Sequence, residues 1–149
     1  MRMKTLRLPM LALAVLLTAS DCNGEHITVP TPQPTAAYRT VLLPTPESFG
    51  VAARGAASAI LYSDLQLVVN GTYQDFPGTV REVHLTFVGS PVCRLDHTAT
   101  VAGKGTFSDT CTLGADAVLA LDGGNASVVV FGHQFNEVLE GQLTKERTN

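Results

Sequence analysis

The feature that most constrains this chain is a series of eight short runs rich in Val, Thr, Leu and Phe, each bounded by Gly, Pro, Asn or Asp. They cover Tyr38 to Leu43, Ala57 to Tyr62, Leu65 to Tyr73, Val80 to Val88, His97 to Val101, Gly105 to Leu113, Ala126 to Phe131 and Val138 to Leu143. Runs of this length read as strands, and strands recurring every ~10 to 15 residues build an antiparallel sandwich or barrel. The expected fold is all-β, an immunoglobulin-like antiparallel β-sandwich or flattened barrel of about eight strands over residues 38–144. Ala115 to Leu121, ended by Gly123 and Gly124, is the one helical stretch and is short enough to be a single turn. Asn70-Gly71 is the strongest hairpin signal, with a bulge in one long strand as the competing reading.

Alternation gives the faces. Val83, Leu85 and Phe87 alternate with Glu82, His84 and Thr86, so His84 is expected to point away from the core. The expected core is Val41, Ile60, Leu65, Leu67, Val69, Val83, Leu85, Phe87, Val101, Phe107, Val128, Val130, Leu139 and Leu143. At 45% hydrophobic and 15% charged residues, the chain has the composition of a folded domain rather than of a disordered one.

Residues 1–20 stand outside this pattern. Arg2, Lys4 and Arg7 precede an apolar run from Leu8 to Ala19, the organisation of a secretory signal peptide. That run has 12 residues, too few for a spanning helix. Thr18-Ala19-Ser20 suits ordinary signal peptidase and would leave Asp21 as the mature N-terminus. Alternatively, Ala19-Ser20-Asp21-Cys22 resembles a bacterial lipobox, with Cys22 as the site of lipidation. Residues 21–37, with Pro30, Pro32 and Pro34 spaced by polar residues, read as a Pro-rich tether, and residues 145–149 as a tail.

Export shapes the cysteine and charge arguments. Of three cysteines, Cys93 and Cys111 are the natural disulfide pair in an oxidising compartment, and neither sits in a CxxC motif. Loss of the signal removes three of the 10 basic residues and leaves 7 against 13 acidic ones, net −6. No Lys/Arg cluster or basic stripe with interleaved aromatics is present, so nucleic acid is a poor partner and is not expected. Asn70-Gly-Thr72 and Asn125-Ala-Ser127 fit the glycosylation acceptor pattern, which in a bacterial protein arises by chance.

Two stretches resemble the chordin-type (CHRD) domain of bacterial secreted proteins. One is Tyr38-Arg-Thr-Val-Leu-Leu-Pro-Thr-Pro-Glu47 with Val51 and Gly55-Ala-Ala-Ser-Ala-Ile-Leu61, which is similar to the family's opening. The other, Leu119-Ala-Leu-Asp-Gly-Gly-Asn-Ala-Ser-Val-Val-Val130 with Leu139-Glu-Gly-Gln-Leu143, is similar to its closing segment. Together they bracket residues 38–143. Where the family carries His-x-His, this chain has His84 and Thr86; Phe131 takes the place of a later His, with His133 two residues on. The resemblance implies a β-rich, non-enzymatic extracytoplasmic binding or structural module.

Candidate chemistry is sparse. His26 lies in the tether, leaving His84, His97 and His133, with Asp96 or Asp109, as the residues for a copper or zinc site. Such a site would make the chain a metal-binding, oxidoreductase-like β-sandwich, the alternative to a binding module. No Gly-x-Ser-x-Gly or Ser-x-x-Lys motif occurs, and the carboxylates Asp64, Asp75, Glu137 and Glu140 read as solvated charge. Gly103-Lys-Gly105 lacks P-loop spacing and reads as a hairpin turn. A carbohydrate-binding module is a further alternative, and its mark would be a coplanar pair of exposed aromatics. The expectation is therefore a non-enzyme without catalytic residues or cofactor. It would sit in the periplasm, cell envelope or extracellular space, reach a membrane only through an N-terminal lipid, and recognise a protein or glycan of the envelope. The recognition surface is expected at the loops Asp75 to Gly78, Gly89 to Arg94 and Gly132 to Asn136, because a rigid β scaffold commonly presents recognition on its loops.

Overall fold

A computed structural model describes residues 29–48, 50–133 and 138–147. The chain divides into Met1–Pro30, of which only Val29 and Pro30 are described, and Thr31–Asn149. The signal segment, Cys22 and His26 lie outside the described residues. Among the described residues, no helix is long and apolar enough to cross a membrane.

Strands form where the sequence runs indicated. They are β1 (Pro34–Pro44), β2 (Arg54–Tyr62), β3 (Gln66–Gln74), β4 (Val80–Phe87), β5 (Ser90–Val101), β6 (Lys104–Thr112), β7 (Ala126–Gly132), β8 (Leu139–Gln142) and β9 (Thr144–Lys145). All pair antiparallel, in the order β2-β3-β6-β5-β4-β7-β8-β1-β9, and a further β1–β2 ladder closes eight of them into a barrel with β9 as the extra strand. β8 and β9 share one register on β1, with Pro44 opposite Leu139 and Tyr38 opposite Lys145. β1 begins at Pro34 because the last tether residues pair with β2, Ala37 lying opposite Ile60. β5 begins at Ser90, seven residues before the run recognised at His97. Its first half pairs with β4 and its second half with β6, so β5 turns a corner between two sheets. The β5–β6 register, continued three residues past Asp96 and Ser108, puts Cys93 opposite Cys111, and these two form a disulfide with Cα atoms 6.0 Å apart.

An eight-stranded barrel is just wide enough for side chains to fill its interior. Tyr38, Leu42, Leu67, Val69, Val83, Leu85, Phe107, Val128, Val130, Leu139 and Leu143 do so. Large rings fit because glycines face them: Gly71 lies opposite Phe107 and Gly105 opposite Tyr73, and a Cβ at either glycine would overlap the facing ring. This also corrects the reading of Asn70-Gly71, which is neither turn nor bulge but lies mid-strand in β3 on an unbroken register. Four expected core residues are exposed: Val41, Ile60, Leu65 and Val101. Val41 and Ile60 alternate outward because Tyr38, Leu42, Ala59 and Leu61 take the inward positions. Leu65 sits in the β2–β3 turn with φ of 64°, and Val101 ends β5 beside a turn.

The helical stretch forms a full helix, α1 (Ala115–Asp122), ended at Gly123. Its Leu121 is buried, and Ala117, Val118 and Ala120 pack against the core. The helix end is tied to the barrel through one carboxylate. Tyr38 Oη donates to Asp122 Oδ1 at 2.5 Å, and Lys145 Nζ donates to the same oxygen at 2.9 Å.

Two predictions follow from these local structures. Phe87 pairs with Ser90 across the two-residue turn Val88-Gly89, whose φ values of 50° and 78° are those of a type I′ turn. A β-branched Val is strained there, and its side chain is 83% exposed, so no packing offsets the strain. Val88→Asn should stabilise the protein by about 1 kcal/mol and raise its melting temperature by roughly 4 °C; an unchanged or lower melting temperature would contradict the turn assignment. The second concerns Asp122, whose carboxyl is held below its usual range by the Tyr38 hydrogen bond and then by Lys145. Its contribution is present above about pH 4 and lost as pH falls through the depressed value, and partial exposure keeps it under about 1 kcal/mol. Burial, followed by the Asp122 bond, raises the Tyr38 phenol, so its contribution holds below about pH 10 and is lost above that. Denaturant melts across pH should therefore show a shallower acid loss in Asp122→Asn than in the parent; parallel curves would exclude the linkage.

Candidate functional site

β4 supplies the site because its two faces differ completely. Val83 and Leu85 point inward with no exposure, so Glu82, His84 and Thr86 point outward, as alternation predicts. Register then sets the neighbours. His84 lies opposite Val129 on β7, Val129 opposite Glu140 on β8, and Glu82 opposite Phe131. The outer face of β4, β7 and β8 thus carries a row His84, Val129, Glu140 flanked by Glu82 and Phe131.

Val129 is the unusual member. It faces outward and stands apart from the interior core cluster, yet it is 4% exposed. Thr86 on the same face is 6% exposed. The face is therefore recessed, and a cavity of about 270 Å³ lies over it, bordered by His84, Thr86, Pro91, Val129, Phe131 and Glu140.

Hydrogen bonds orient the polar groups. His84 Nε2 lies 3.0 Å from Glu82 Oε2. A carboxylate only accepts, so Nε2 carries the proton, and in the neutral imidazole Nδ1 holds the lone pair. The His84 ring also lies 5.1 Å from the Phe131 ring, and Arg81 sits 5.9 Å from the centroid of that ring. Thr86 Oγ1 donates to the Ser127 carbonyl at 3.3 Å. Arg94, opposite His84 on β5, is exposed. This carboxylate-held imidazole is the orienting half of an acid–base pair. The neighbouring hydroxyl, Thr86, spends its proton on backbone.

The other expected site residues fall elsewhere. His97 pairs with buried Phe107 on the inward side of β5, and its Nε2 lies 3.3 Å from the Val80 carbonyl. His133 is exposed beyond β7, where its backbone N–H donates to Thr79 at 3.4 Å. The structure does not bring His84, His97 and His133 together. Among the described residues, no three His, Cys, Asp or Glu side chains, Asp96 and Asp109 included, are grouped to hold a metal ion. The aromatics expected of a sugar platform are mostly interior: Tyr38, Tyr73, Phe76, Phe87 and Phe107 are buried. No coplanar exposed pair occurs among the described residues.

The three-loop surface is corrected as well. Val80 pairs with Gly132, so Asp75 to Gly78 and the end of β7 at Gly132 and His133 share one end of the barrel, while residues 134–137, Glu137 among them, lie outside the described residues. Phe87 pairs with Ala126, so Gly89 to Arg94 begins at the opposite end. A concavity of about 870 Å³ covers Ser58, Asn70, Thr72, Thr106 and Ser108 on the outer face of β2, β3 and β6. The one ionisable side chain in its lining is Arg39, which pairs with Glu146.

Sequence reasoning found His84 and its outward direction but missed Glu82 as its partner. The signal was present, since residues two apart on a strand share a face. Glu140, read as solvated charge, borders the cavity and is reachable only once β7 and β8 are paired.

The tautomers are measurable. Long-range nitrogen–proton spectra should show His84 and His97 both protonated at Nε2 in their neutral forms, and Glu82→Ala should relax His84 to a mixture while leaving His97 unchanged; an Nδ1-protonated His84 in the parent would refute the pairing. Compared with protein-family models, characterised proteins and solved structures, the chain matches none.

Proposed function

We propose that this chain is a non-enzymatic, exported binding module resembling the chordin-type domain, and that it recognises an envelope partner with the recessed outer face of β4, β7 and β8. The observation that carries this reading is Val129, an apolar side chain aimed away from the core yet 4% exposed, flanked by an oriented imidazole and a carboxylate. A recessed apolar floor with a few convergent polar groups is the general form of a binding site.

Three further points support it. The chordin-like opening falls on β1 and β2, and the closing segment on the end of α1, β7 and β8, so the resemblance includes two of the three strands that build the face and brackets the third, β4. The signal-like segment supports a location outside the cytoplasm, with Cys22 as a lipid attachment point in the lipoprotein version of the reading. Two sheets that share β1 and β5 support a barrel flattened toward an immunoglobulin-like sandwich.

The test is a pull-down against the envelope fraction of the source organism. The protein carrying His84→Gln and Phe131→Ser is compared with the parent and with a variant whose Asp75 to Gly78 loop is Gly-Ser. Recovery of the partner should fall at least about tenfold in the first variant and hold in the second. Equal recovery from all three proteins, or turnover of a substrate by the parent, would overturn the reading.

A further inference from the structure

The hydrogen-bond inventory of the recessed face limits what can occupy it. His84 commits its Nε2 proton to Glu82, leaving Nδ1 as an acceptor in the neutral ring. Thr86 commits its hydroxyl proton to the Ser127 carbonyl, leaving oxygen lone pairs. Glu140 is a carboxylate, an acceptor on both oxygens, and among the described residues no side chain pairs with it. Every polar side chain bordering the cavity therefore accepts, and none has a proton to offer. From these side chains an anion or a carbonyl would meet only lone pairs, and the one remaining polar contribution to the lining is the backbone of Gly89.

The spacing fits a small head group. His84 and Glu140 are two strands apart with Val129 between them, a backbone separation of about 10 Å at the usual strand spacing. Two side chains reaching over that gap leave room for one group with several donors, while Val129, Pro91 and Phe131 offer apolar surface to a stem. The surrounding charges nearly cancel: Glu82 and Glu140 are countered by Arg81, which is held at Glu82 and Phe131, and by Arg94 on the neighbouring strand. Recognition is consequently set by donor geometry, with long-range attraction contributing little.

We propose that this cavity binds a primary ammonium or guanidinium group carried on an apolar stem. Such a head supplies three or five donors and no acceptor, the complement of this lining. The proposal rests on the binding-module reading and names the chemistry of its site. The group can come from a Lys or Arg side chain of a partner protein or from a free amine.

The experiment is a nuclear magnetic resonance titration of the protein, following the Val129 methyls and the His84 ring. The probes are n-butylammonium, n-butylguanidinium, n-butanol and butyrate, with spermidine and a blocked single-lysine peptide as source arms. Either cationic probe should saturate the Val129 and His84 shifts with a Kd of about 1 to 30 mM, the range open to a fragment of this size. Glu140→Gln, an exposed position whose change leaves the interior intact, should weaken that binding at least about fivefold. A tighter lysine peptide assigns the source to a protein side chain and tighter spermidine to a free amine; both support the class. Equal shifts from n-butanol or butyrate, absence of saturation by both cations, or an unaltered Kd in Glu140→Gln would each overturn it. Partner recovery that depends on His84 and Phe131 without cation binding would defeat this inference alone. Cation binding without any such partner would defeat the module reading alone.

Discussion

The register of β1 is the constraint on which the rest of the barrel depends. β1 pairs with β2 along one edge and with β8 and β9 along the other, so it is the strand across which the barrel closes. A slip of one residue would turn Arg39 and Val41 inward and Tyr38 and Leu42 outward, and it would break both ladders together. Tyr38 opposes that slip from three sides. Its backbone lies between Ala59 and Lys145, its ring is fully buried, and its hydroxyl reaches the Asp122 carboxylate at the end of α1. The hydroxyl is what makes the position discriminating, because a buried phenol without a partner would carry the full desolvation cost. Lys145 on the same carboxylate couples β9 to the arrangement.

The second point of stress is the corner in β5. Hydrogen bonding to β6 stops at Asp96, where the strand turns to follow β4, and the two backbones would otherwise be free to part. The Cys93–Cys111 disulfide sits where the abandoned ladder would have continued. It supplies a covalent tie where the sheet has given up its hydrogen bonds, between residues 18 apart in sequence. Leu95, fully buried beside the corner, fills the interior at the same level.

Much of this was legible in the sequence because turn residues punctuate strands so clearly: all eight runs are strands, and the short helix lies where its Gly-Gly stop placed it. Which residues face inward was less legible in β1 and β2. Val41-Leu42-Leu43 and Ala59-Ile60-Leu61 are apolar at consecutive positions, so period-two alternation cannot select a face. Hydrophobicity favours Ile60 over Ala59, but the interior near Tyr38 and Leu42 accepts the smaller side chain. The Asn70-Gly71 signal misled for a related reason: the glycine is required for the room it gives Phe107, a demand made from a strand over 30 residues away. Of the candidate site, the direction of His84 was readable from β4 alone. Its relation to Val129 and Glu140 depends on pairings that no local pattern encodes.

The same alternation that hides some faces separates the site from the interior. Along β4, β7 and β8 the inward residues Val83, Leu85, Val128, Val130 and Leu139 are fully buried and fix the three backbones against the core. The outward residues His84, Val129 and Glu140 then inherit their spacing from strands whose positions are set by other side chains. On the proposed reading such a site needs no loop to order on binding, so occupation of the face would cost little conformational entropy. It is also free to vary. A change at Glu82, His84 or Glu140 alters donors and acceptors without opening a cavity in the core, whereas the inward neighbours of each cannot change without one. On the proposed binding reading, specificity and stability fall to alternate residues of the same three strands, and a substitution's effect is decided by the parity of its position.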